Sequence, residues 1–124
     1  MNDAILMSIK PEFANKIFSG SKKYEFRRMI FKKKNISKVV VYASFPVMKV
    51  IGEFLIGDIL EMDLDSLWEA TSEEAGISKE LFMTYYRGKD RGYAIRISSF
   101  KRYDEPLPLQ ETFNTKPPQS FQYL

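Results

Sequence analysis

The chain contains no cysteine and no histidine. Those two absences exclude disulfides, thiolate and imidazole metal sites, cysteine nucleophiles and Ser-His-Asp triads. Any catalysis must therefore run on Lys, Glu, Asp, Tyr, Ser or Thr. Zero cysteine is compatible with a reducing compartment, and a cytoplasmic protein is expected. The chain also has no run of about 18 uncharged apolar residues, the minimum for crossing a bilayer, so no membrane partner is expected. Its first residues, MNDAILMSIKPEF, carry Asp3 and no basic stretch ahead of a short apolar run. That is the wrong pattern for a secretory leader and reads as an early strand.

What is present fits a compact fold. The 124 residues are 44% hydrophobic and 15% aromatic. A chain of this length can bury roughly 65–70% of its unfolded surface, which predicts a single domain over residues 1–124. The net charge of +3 conceals a lopsided distribution. Between residues 22 and 38, eight cations (Lys22, Lys23, Arg27, Arg28, Lys32, Lys33, Lys34, Lys38) stand against Glu25, a local charge of +7. Between residues 53 and 80, nine acids stand against Lys79, a local charge of −8. A focused positive face attracts polyanions, with salt-dependent binding; a solvated surface with internal compensation has the same charge pattern.

Local patterns set the elements. Residues 4–9 read as a strand. Pro11 suits a first helical turn, Phe13, Ala14, Ile17 and Phe18 form an apolar stripe, and Gly20 stops the helix. Residues 22–28 alternate as a strand. SKVVVYASF is apolar on both faces, as a strand buried between layers would be, and MKVIGEFLIGDILEMD is a long strand that Gly52 and Gly57 should bend. Ser66 with Glu69 fits a capping box for a helix that ends by Gly76, and Ser78 can cap another carrying Leu81, Phe82, Tyr85 and Tyr86. GYAIRISSF returns to alternation. Pro106, Pro108, Pro117 and Pro118 predict a tail running extended over the surface from Glu105, anchored by Phe121 and Tyr123. About five bent strands with about three short helices predict an α+β fold, a small mixed β-barrel.

The densest chemistry lies in GSKKYEFRR, residues 20–28. A regular strand projects Lys23, Glu25 and Arg27 from one face and Lys22, Tyr24, Phe26 and Arg28 from the other. Lys22 joins Glu25 only if the strand begins near Tyr24 and Lys22 sits on the turn after Gly20. A desolvated cluster and a wet strand edge both fit these residues; losing one partner costs about 3–5 kcal/mol in the first, whereas the pair is worth about 0–1 kcal/mol in the second.

The stretch also resembles the G-x-K-x-x-E-x-R motif of ASCH domains, PUA-like β-barrels linked to RNA. The flanks LMSIKPEFANKIFSG, VYASFPVMKVIGEF, YYRGKDRGYAIRI and PPQSFQYL extend the resemblance over nearly the whole chain. The small stand-alone members it is most similar to are often labelled transcriptional regulators. The resemblance implies a cleft in which Gly20, Lys22, Glu25 and Arg27 meet near Ser8, Lys10 and Tyr42. Lys22 and Arg27 would meet phosphate, Glu25 would accept from a base amine or act as a general base, and a base would stack on Tyr42, Tyr86 or Tyr93. Lys32, Lys33 and Lys34 would follow a nucleic-acid backbone. Strand pattern alone puts Tyr42 in the core, and Tyr85 and Tyr86, about 100° apart on a helix, cannot both be fully buried.

Three functions follow. The first is binding of RNA, another single-stranded nucleic acid or a nucleotide, without cofactor or metal. The second is hydrolysis in the same cleft through Lys22 and Glu25, since ASCH relatives include a ribonuclease type and amidohydrolases of N-acetylcytidine that use a Thr, a Lys and a Glu. Glu25 stands where such an amidohydrolase has its Thr; Ser21 and Thr84 are off that position, and the acidic partner is not unique among Glu69, Glu73 and Glu74. The third is charge-mediated protein interaction.

Overall fold

A computed structural model describes residues 3–124, so the start of the leader-versus-strand reading, Met1 and Asn2, lies outside the described residues. In chain order the elements are β1 (Ala4–Ile9), α1 (Pro11–Phe18), β2 (Tyr24–Arg27), β3 (Lys38–Ala43), β4 (Lys49–Asp63), α2 (Leu64–Thr71), α3 (Lys79–Tyr85), β5 (Arg91–Leu107), α4 (Leu109–Phe113) and β6 (Phe121–Tyr123). All six strands form one sheet in the order β2-β5-β4-β3-β1-β6. The β1–β3 pair is parallel and the other pairs are antiparallel. Register slips between Val50 and Gly52 and between Leu55 and Ile59 bend the long β4–β5 ladder. Each such bulge adds twist, and the sheet curls into a half-barrel with β2 and β6 as its edges.

Apolar residues cover both faces of this sheet. On β1, Ile5, Met7 and Ile9 pack with Ala14, Ile17 and Phe18 of α1, while Leu6 between them packs on the opposite side with Val40, Val50 and Leu109 of α4. Double burial is also why SKVVVYASF, which contains β3, reads as an apolar run on both faces rather than an alternating one. A third cluster joins Phe26 of β2 and Ala94 of β5 to Leu67, Phe82 and Tyr86 from the α2–α3 region. Phe82 touches Phe26, Trp68 and Tyr86 with ring centroids 4.8–5.2 Å apart. Truncating such a ring costs about 3–5 kcal/mol.

Helix α1 spans the expected residues, and Ser78 caps α3 by accepting from Leu81 N at 3.1 Å. Other expectations change. Among the described residues there are six strands and four helices rather than about five and three. The cap of α2 is Asp63, whose carboxylate accepts from Ser66 N at 3.1 Å; Ser66 is already inside the helix. The strand around Glu25 begins only at Tyr24. The tail is not simply extended: β5 continues to Leu107, α4 follows, and β6 then pairs with β1 through Phe121 and Tyr123.

Candidate functional site

Strand β2 carries the core of the site because both its faces are buried, for different reasons. Phe26 faces the α2–α3 cluster, while Glu25 and Arg27 project from the opposite face, at 6% and 9% exposure. Two residues apart on one face, they form an ion pair with Arg27 Nη1 3.1 Å from Glu25 Oε2. The other terminal nitrogen of Arg27 donates to the Ser120 hydroxyl. The guanidinium is therefore clamped from two sides, by its own strand and by the segment entering β6.

Lys22 reaches the site from the turn after α1. Gly20 takes φ +84°, which turns the chain back before β2 begins. Lys22 is 3% exposed, and its Nζ donates to Ala75 O at 3.0 Å and sits 4.6 Å from the Phe26 ring centre. It has no carboxylate partner among the described residues. Burial pulls its pKa from 10.5 to about 8; the Glu25 charge works against that shift and Lys16 adds to it. The segment over Lys22 depends on Gly76, which has φ +70° and touches the lysine so closely that a Cβ there would lie 2.6 Å from Lys22 Cβ.

These groups line a cleft of about 1020 Å³. Five cations, Lys10, Lys22, Arg27, Arg28 and Lys89, face it against the single carboxylate Glu25. Apolar walls come from Phe13, Phe26, Met29, Phe45, Met48 and Leu81. Tyr42, at the end of β3, lines the cleft although 4% exposed, and Ser8 lies beside it on the parallel ladder. Ser8 also builds the far wall: its hydroxyl donates to Pro118 O at 2.6 Å and its N–H to Ser120 O at 3.1 Å.

Several residues expected in the cleft lie elsewhere. Tyr86 is wholly buried, donating its hydroxyl to Tyr93 O at 2.8 Å and to Arg27 O at 3.3 Å, so no base can stack on it. Burial pushes that phenol far up. The wall position belongs instead to Tyr85, whose hydroxyl accepts from Arg28 N at 3.1 Å. Tyr93 is half-buried on β5, opposite Arg27, and is not among the lining residues, nor is Gly20. Lys32, Lys33 and Lys34 are exposed outside the cleft, on a loop held by the Tyr123 hydroxyl, which accepts from Lys32 N at 2.9 Å and Lys33 N at 3.3 Å. Glu69, Glu73, Glu74 and Ser21 are exposed and do not line the cleft; Thr84 does. Among the described residues no three carboxylates gather as a metal-ligand set.

Sequence reasoning missed Ser120, Tyr85, Arg28 and Lys89 as lining residues. For Tyr85 a signal existed: Phe82 in α3 and its C-cap Tyr86, four residues apart, lie on one buried side, which leaves Tyr85 turned outward. For Ser120 there was none, because its partner Arg27 is 93 residues away.

No protein-family model matches the chain. Over 126 residues it is 32% identical to the large ribosomal subunit protein uL22 of Ureaplasma parvum serovar 3, a match covering 98% of this chain but only 39% of that protein's length. It is also 32% identical over 123 residues to the ASCH domain-containing ribonuclease of Zymomonas mobilis subsp. mobilis, covering 96% of this chain and 82% of that protein. The crystal structure of ASCH from Zymomonas mobilis superposes with a TM-score of 0.90 at 32% identity, over 98% of this chain and 87% of that one. With sequence and fold agreeing over nearly all of this chain and more than four fifths of the Zymomonas protein, the chain belongs to the ASCH domain family.

Proposed function

We propose that the cleft binds single-stranded RNA, or a nucleotide of it. The observation that carries this reading is the ratio of five cations to one carboxylate around a hollow with apolar walls. Such a combination suits a ligand that is anionic on one side and flat and apolar on the other. Arg27, held by Glu25 and Ser120, presents its remaining N–H groups to a phosphate oxygen as a preset fork. The exposed Lys10, Arg28 and Lys89 at the mouth supply mobile charge, and Tyr85 offers a ring to an unpaired base. The Zymomonas relative, named a ribonuclease, supports RNA as the ligand class.

The test is a fluorescence titration with single-stranded RNA at rising salt, comparing the wild type with Arg28→Gln/Lys89→Gln. Binding that weakens with salt and falls severalfold in the double variant is expected. Binding that is absent, or insensitive to both changes, overturns the reading.

A second reading, cleavage of the bound strand, rests on Lys22. An amine brought to a pKa of about 8 can exchange a proton near neutral pH, and Glu25 lies in the same cleft. Incubation of a mixed RNA with wild type, Lys22→Met and Glu25→Gln separates the two: cleavage lost in both variants while binding survives supports catalysis, and equal rates remove it.

A further inference from the structure

The basic cleft continues past Met48 and Pro117. Both residues also line a second hollow of about 350 Å³, whose walls include Lys49, Leu109, Lys116 and the carboxylate Glu111. Met48, which takes φ +56°, ends the turn that starts at Ser44 and stands between the two hollows with Pro117. Phe45 stands on that turn 80% exposed, with Val47 and Met48 also exposed. Among the described residues the Phe45 ring belongs to none of the three core clusters, although it lines the cleft. Lys49 follows at the start of β4, and Lys116 precedes Pro117; both side chains are exposed. An exposed aromatic ring in the cleft wall, three residues before the shared Met48, followed by two cations lining the adjoining hollow, matches the repeating unit of a nucleic-acid strand, a flat base followed by a phosphate.

Building on the function proposed above, we infer that the ligand is a single strand at least two nucleotides long, running from the cleft over the Phe45 turn into the second hollow. One nucleotide sits in the cleft, the next base stacks on Phe45, and the phosphate beyond it meets Lys49 and Lys116. Stacking on Phe45 needs a free base face, which a duplex does not offer because its neighbouring bases occupy it.

Calorimetry with adenosine monophosphate, with a 2′-O-methyl adenosine octamer and with that octamer annealed to its complement tests the inference. The octamer should bind at least about tenfold tighter than the mononucleotide and than the duplex. Lys49→Gln/Lys116→Gln, outside the cleft, should weaken the octamer on the order of tenfold and leave the mononucleotide unchanged, whereas Phe45→Ala, in the cleft wall, should weaken the octamer by more than it weakens the mononucleotide. The lysine variant should also lower the salt slope by about 0.7 for each phosphate that is no longer neutralised. All three positions are exposed, and an unchanged melting midpoint shows that the variants keep the fold. Equal affinity of mononucleotide and octamer, or octamer binding unaffected by both variants, overturns the strand track while leaving the cleft reading intact. Failure of the wild type to bind either probe removes both.

Discussion

Arg27 on β2 and Ser120 at the entrance to β6 are hydrogen-bonded across the gap between the two edge strands of the sheet. This bond closes the side of the half-barrel that the strand ladder leaves open, and it does so inside the cleft. The charge that faces a ligand is thus also a clasp of the fold. Removing the hydroxyl with Ser120→Ala should cost about 1.5–3 kcal/mol, the range for hydrogen bonds to charged groups, read as a lower denaturant midpoint with an unchanged m-value. An unchanged midpoint would show that the clasp contributes nothing.

The Glu25–Arg27 pair should behave as a buried pair. Glu25→Gln leaves a guanidinium in the cleft without its carboxylate and should destabilise by about 3–5 kcal/mol. Arg27→Met together with Glu25→Gln should recover part of that loss, since no unpaired charge remains. A double-mutant cycle in urea measures it, and strictly additive losses would place the pair in a wetter setting than its burial indicates.

Lys22 makes stability depend on pH in a stated direction. Its folded pKa of about 8 lies below the ordinary 10.5, so between these values the unfolded chain holds a proton that the folded chain has released. Stability from this group therefore rises as pH climbs from 8 to 10.5. Below a pH of about 8 the buried charge opposes folding by about 3 kcal/mol. Lys22→Met should gain most on the wild type in that lower range, and its advantage should shrink by about 3 kcal/mol by pH 10.5. Parallel pH profiles for the two proteins would contradict the assignment.

Gly76 should not accept a side chain. An alanine there would meet Lys22 at 2.6 Å and be strained at φ +70°. Gly76→Ala should destabilise by about 1–3 kcal/mol, whereas Gly88→Ala, with a similar φ of +87° but open space around it, should cost less. Equal midpoints for the two variants would leave backbone strain as the whole effect.

The lysines of the 32–34 loop should matter little to a cleft ligand. They lie outside the cleft, so replacing all three with glutamine should lower RNA affinity less than Arg28→Gln/Lys89→Gln at the same ionic strength. The reverse order would move the interface to the loop.

Much of the fold was legible from local patterns. The strand over residues 4–9, the apolar stripe of α1, the Ser78 cap and the double-faced apolar run of β3 are each written in neighbouring residues and recur in the structure. The proline count misled for the tail. Pro106 and Pro108 do not prevent β5 from reaching Leu107 or α4 from starting at Leu109, where a proline immediately ahead of the helix costs no intrahelical hydrogen bond.

For the site, the sequence by itself determined its inventory: GSKKYEFRR, the missing histidine and cysteine, and the parity that sets Glu25 and Arg27 on one face of β2. Parity could not bring Lys22 to them, because that depends on the turn at Gly20 and on the close passage of Gly76. The spacing of Phe82 and Tyr86 hints at which tyrosine is core, but only the tertiary structure decided that Tyr85 lines the cleft and that Ser120 meets Arg27. A local pattern reports which way a side chain leaves its own element. What it meets there is set by strands that pair across most of the chain's length, and no neighbouring residue records that distance.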